Sequence, residues 1–168
     1  MPRLLVDRFL PDSVAQFQAV AAIRNDDAHS LLAVGRGTAA IYFWGYAAEM
    51  ILKQAWFRLA GFSDAQQIGV KDLNAAVKTA TSVYGITWPG HGQLHNIYCW
   101  AQLVTRHHIA TVGPYADMTF EPEVTGQAKR IYERWRESMR YKKNQAYMAE
   151  VYAVQSAASW ILNNAQNL

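Results

Sequence analysis

Residues 39–59 read AAIYFWGYAAEMILKQAWFRL, and that stretch decides the fold. Wound at about 3.6 residues per turn, it has no clean polar face. Small or apolar residues surround the axis, and only Glu49, Lys53, Gln54 and Arg58 are strongly polar. A helix that is apolar nearly all round is buried by neighbours on several sides. Glu49 interrupts the run after ten residues, whereas a membrane span needs about 20. The stretch therefore predicts the central helix of a soluble bundle.

Two features inside it demand partners. Gly45 sits mid-helix, where glycine costs about 1 kcal/mol relative to alanine; close approach of another helix would offset that. Glu49 and Lys53 stand four apart in the order that favours a helical ion pair. They share a stripe with Tyr42, Gly45, Trp56 and Ala60. On so apolar a helix the pair is desolvated and has to be satisfied from outside. Glu49 and Lys53 are read as the polar centre of the bundle.

Working outward, Asp12 or Ser13 caps a preceding helix that runs to Gly35 and carries Phe17, Val20, Ala21, Ala28 and Leu31 on one face. Thr38 is placed to cap the central helix and Gly61 to end it. Further helices are expected over about 71–83, 94–109, from 123 onward, and 144–163. The fifth carries Ile131, Trp135 and Met139 as a stripe. The last repeats Tyr147, Val151, Val154, Ala158 and Ile161 as a 4-3-4-3 seam. Irregular connections fall at 63–69, 84–92 and 113–122, where glycine, proline and polar residues gather. No alternating strand pattern of useful length occurs. The expected architecture is all-α, an up-and-down bundle of five or six helices. Residues 1–11 read as an extended N-terminal arm and 12–168 as one domain.

Composition narrows the chemistry. The chain has 168 residues, 51% of them apolar, with 16 Lys and Arg against 13 Asp and Glu. That balance is mildly basic and permits an anionic partner without demanding one. The single Cys99 excludes an internal disulfide and a cysteine-based zinc site, and fits a reducing cytoplasm. The N-terminus lacks the continuous apolar core of a signal peptide. His91 and His95 have the spacing of two zinc ligands on a helix, but Gly92 lies between them and no third ligand is placed nearby. Gly35-Arg36-Gly37 is too short for a phosphate or dinucleotide loop, and no serine-hydrolase motif occurs. Neither a metal nor a cofactor is expected.

Two basic features could meet phosphate. Between Lys129 and Lys143 seven basic residues face only Glu133 and Glu137, which leaves a charge of +5. On a continuous helix Lys129, Arg136, Arg140 and Lys143 align and could track a nucleic-acid backbone. The bland alternative is a solvated face with Glu133–Arg136 and Glu137–Arg140 pairs. The second feature is Arg24-Asn25-Asp26-Asp27-Ala28-His29. A fixed cation beside a histidine suits metal-independent RNA cleavage: His29 moves the proton and Arg24 stabilises the phosphate charge. Positions five apart diverge by about 140° on a straight helix, so the pair needs a distortion or a second subunit. Arg24 also points into the apolar face, where Glu49 is its expected partner; Asn25 and His29 would then simply be solvated.

With these residues in view, the chain resembles the HEPN superfamily of small helical-bundle proteins. The matching strings are GYAAEMILK at 45–53, LHNI at 94–97 and WRESMRY at 135–141, followed by a long terminal helix. The resemblance spans about residues 39–164. It implies a helical bundle, commonly a homodimer, and many members are RNases or toxins of conflict and defence systems, often paired with a nucleotidyltransferase. It also implies a catalytic R-x4-6-H signature near the dimer interface. Arg140 has no histidine at Gln145, Ala146 or Tyr147, whereas Arg24 and His29 match the pattern from within the first helix. The expectation is a cytoplasmic protein that binds RNA or a nucleotide and cleaves RNA through Arg24 and His29, with Arg136, Arg140 and Lys143 as substrate contacts. The alternative is a catalytically inactive dimerisation or interaction module.

Overall fold

The computed structural model describes residues 13–89 and 93–168. The arm expected over 1–11, and His91, lie outside the described residues. Among these residues six α-helices form an all-α bundle: α1 Val14–Ala33, α2 Gly37–Leu59, α3 Val70–Ser82, α4 Ile97–Thr111, α5 Phe120–Tyr132 and α6 Met148–Asn163. Among the described residues there is no strand beyond one isolated bridge from Ser13 to Gln67.

The apolar girth of α2 has the expected consequence. It packs against α1, α4 and α6, and 16 of its 23 residues are buried. Helix α5 closes the bundle between α4 and α6, while α3 lies at the edge beside the turn at Gln93–His95. The seam of α6 points inward from Val151 onward, with Val151, Val154, Ala158 and Ile161 all fully buried, whereas Tyr147, expected to open the seam, precedes the helix and is exposed. Trp44, Trp100 and Phe57 fill the centre. Among the described residues no helix is long and apolar enough to cross a membrane.

Local chemistry sets most of the helix starts. Ser13 and Gln16 form a reciprocal capping box at α1. Asn96 accepts from the Cys99 N–H at 3.0 Å to start α4. Pro122 sits within the first turn of α5, where its missing N–H is no loss.

Helix α2 departs from expectation at its start. Thr38 does not cap it; the Thr38 N–H donates to Asn144 Oδ1 at 3.0 Å, and Asn144 Nδ2 donates to the Gly35 carbonyl at 2.9 Å. The Thr38 hydroxyl instead accepts from the backbone of Gln145 and Ala146 at 2.8 and 2.9 Å. Residues 144–146 are thereby taken out of the last helix, which begins at Met148 rather than near 144.

The fifth helix also ends early. It stops at Tyr132 and the chain turns, so that Trp135 lies outside the helix that its spacing predicts. The indole Nε1 of Trp135 donates to the Tyr42 carbonyl at 3.0 Å, and the ring covers Gly45 so closely that a Cβ there would lie 2.2 Å from it. The neighbour that requires Gly45 is therefore a tryptophan ring, not a second helix backbone. Beyond it, Glu137–Tyr141 forms a 3-10 turn.

Candidate functional site

Two polar arrangements converge on one face of α2. The first is a chain of alternating charge. The Glu49 carboxylate, only 2% exposed, accepts from Lys53 Nζ one helical turn on. His95, delivered by the turn before α4, places Nδ1 at 3.1 and 3.3 Å from the two Glu49 oxygens. Its Nε2 lies 3.7 Å from Glu137, and Glu137 in turn pairs with Arg140 at 3.1 Å. An ionised carboxylate only accepts, so Nδ1 must carry a proton. A neutral His95 would then turn a bare Nε2 lone pair towards the Glu137 carboxylate; the imidazolium satisfies both acids. The hydrogen bond to Glu49 accordingly raises the pKa of His95 above its ordinary value, against the opposing pull of burial. Burial pushes Glu49 up, but Lys53 and His95 outweigh it and hold the carboxyl below its ordinary value.

The second arrangement is a groove walled by Tyr42 and Phe43. On one side a cavity of about 310 Å³ is lined by Arg36, Tyr42, Phe43, Arg140 and Lys142 among others. On the other, a depression of about 350 Å³ is lined by Arg24, Tyr42, Phe43, Tyr46 and Met50. The two adjoin across the shared aromatic pair, so Arg24 and Arg140 border one groove although α1 and the 3-10 turn are far apart in sequence. Arg24 lies over the Phe43 ring, 5.3 Å from its centroid.

The structure redistributes the residues that the sequence singles out. Arg24 does not reach Glu49: it pairs with Asp27 at 2.8 Å, with both side chains about 40% exposed. Helix α1 runs unbroken through residues 24–29, so His29 leaves on another side, exposed and edge-on to Trp44 at 5.3 Å. Asn25 follows it there and accepts from the Trp44 indole at 3.2 Å rather than being solvated. Within one chain Arg24 and His29 are not brought together. Nor do Lys129, Arg136, Arg140 and Lys143 share a helical face, because α5 ends at Tyr132. Arg136 folds back over the Tyr132 ring at 4.2 Å and lines a cleft of about 360 Å³ with His95, Glu137 and Ser138. Lys143 sits beside Arg134 and Lys142 in a smaller depression. Of the two expected pairs, Glu137–Arg140 forms, whereas Glu133 pairs with Arg134 instead of Arg136.

Sequence reasoning passed over His95 as a partner of Glu49, and Arg36, Tyr42, Phe43 and Lys142 as groove residues. In the sequence His95 stands out only through the LHNI string and its spacing from His91, and Tyr42 only through the stripe it shares with Glu49. Among the described residues no group of three or more His, Cys, Asp or Glu side chains could hold a metal ion. Comparisons with protein-family models, with curated proteins and with solved structures found no match.

Proposed function

We propose that this chain is an RNA- or nucleotide-binding domain similar to HEPN proteins, working as a cytoplasmic homodimer. A toxin or defence setting with a nucleotidyltransferase-like partner accords with the same resemblance. The observation that carries the binding reading is the Tyr42–Phe43 groove, bordered by Arg24, Arg36, Arg140 and Lys142. Aromatic faces stack bases while cations hold the backbone, which is how single strands are bound without base-specific hydrogen bonds. Four phosphate contacts by these cations give a slope of log affinity against log salt of about −3. RNA titrations across a salt series check this, and salt-independent binding would sink it. Tyr42→Ala weakens RNA binding by about 1–3 kcal/mol if a base stacks on it.

Binding is favoured over cleavage because His29, turned against Trp44, stands apart from Arg24. The interaction-module alternative draws on the same observation. Incubating bulk RNA with the protein in EDTA, beside a folded Arg24→Ala/His29→Ala variant, separates the two. Cleavage by the wild type alone makes the pair a shared active site assembled between subunits. No cleavage by either leaves a binding module.

A further inference from the structure

We infer that the 310 Å³ cavity receives a terminal phosphate, the phosphomonoester of a free nucleotide or of an RNA end, and not an internal phosphodiester. This rests on the RNA- or nucleotide-binding reading and adds the chemical group that the site selects. Three cations, Arg36, Arg140 and Lys142, line one small cavity, and none of its lining residues is acidic. Among the described residues Arg36 and Lys142 make no ion pair, and only Arg140 is partly neutralised, by Glu137. Such convergence suits a single group of high charge. A strand of diesters, each carrying one negative charge, is better served by cations spaced along a track. A phosphomonoester carries about −1.5 to −2 at neutral pH and presents three strong acceptor oxygens.

The rest of the cavity fits the attached nucleoside. Tyr42 and Phe43 give aromatic surface next to the cations, and the volume lies at the low end of the roughly 300–1,000 Å³ seen for small-ligand sites. Asn144 is spent on Thr38 and Gly35, so it holds the wall in place rather than contacting ligand. Arg140 is steadied from behind by Glu137, which His95 approaches at 3.7 Å. A guanidinium held in this way loses less freedom on meeting phosphate.

The test uses the full chain and one short, internally labelled RNA bearing a phosphate at its 5′ end, its 3′ end or neither. Anisotropy titrations should give about tenfold tighter binding for one phosphorylated form than for the form with two hydroxyl ends. Competition by AMP but not adenosine, with no preference between RNA ends, assigns the site to a free nucleotide. Arg36→Gln/Lys142→Gln, two exposed positions, should abolish the preference with an unchanged circular dichroism melt. Lys71→Gln on α3 should preserve it. Equal affinity for all three RNAs without AMP competition overturns the inference while leaving RNA binding intact. Absence of binding by every RNA and by AMP overturns both.

Discussion

Gly45→Ala should lower the melting temperature sharply, although it replaces glycine by the best helix former in mid-helix. Helix propensity alone predicts a gain of about 1 kcal/mol. The added methyl, however, would lie 2.2 to 2.4 Å from three atoms of the Trp135 indole. Trp135 is 1% exposed and is tied to the Tyr42 carbonyl, so it has nowhere to retreat. Overpacking costs about 1–3 kcal/mol, and expelling the ring forfeits burial worth about 3–5 kcal/mol. A net loss of about 3 kcal/mol lowers Tm by roughly 6–12 °C in a chain of this size. Gly126→Ala in α5 is the matched control, because a Cβ there meets nothing within 4 Å. It should stabilise by about 0.4–1 kcal/mol. Calorimetric melts that fail to give opposite signs for the two substitutions would contradict the packing.

Glu49→Gln should be comparably damaging for an electrostatic reason. The amide still accepts a hydrogen bond but leaves Lys53, with a side chain 8% exposed, as a buried cation without its counter-charge. Breaking one member of such a pair costs about 3–5 kcal/mol, roughly 6–20 °C in Tm. Glu49→Gln/Lys53→Met removes both charges and should recover much of the loss. A double variant no better than the single one would mean that the pair is not the cause.

The same network fixes a pH profile. Glu49 has its folded pKa lowered, so its contribution is present above the unfolded carboxyl value and disappears as pH falls through the folded one. His95 has its folded pKa raised, so its contribution is complete below the unfolded imidazole value and is lost as pH rises through the folded one. Stability from this site should therefore be greatest between about pH 4.5 and 6.5. His95→Gln should flatten the alkaline side of the profile and also weaken the acid side, because His95 helps Lys53 hold the Glu49 carboxyl down. Melts across pH that decline equally in both proteins would refute the assignment.

How much of this was legible beforehand follows the range of each interaction. The Glu49–Lys53 pair lies within one turn, and the α6 seam repeats within one helix; both could be read from spacing. His95 meets Glu49 across 46 residues, and Trp135 meets Tyr42 across 93. No local pattern encodes such meetings. The early end of α5 is of the same kind. No glycine or proline stands near Tyr132, so the periodicity of Ile131, Trp135 and Met139 runs on, while the seat of Trp135 over Gly45 breaks the helix. The groove was hidden differently: Tyr42 and Phe43 belong to an apolar helix, and Arg36 and Lys142 to opposite ends of the chain.

The Asn144 bond to the start of α2 also bears on how the protein is made. Helices α1 and α2 leave the ribosome early, yet the acceptor for the Thr38 N–H lies 106 residues further on. Until that segment emerges, the first turn of α2 lacks its cap, and Gly37 lacks the Val151 side chain that would lie 2.8 Å from a Cβ there. The segment from Asn144 onward is thus a keystone, and a premature stop before it should yield a substrate for proteases rather than a shortened working domain.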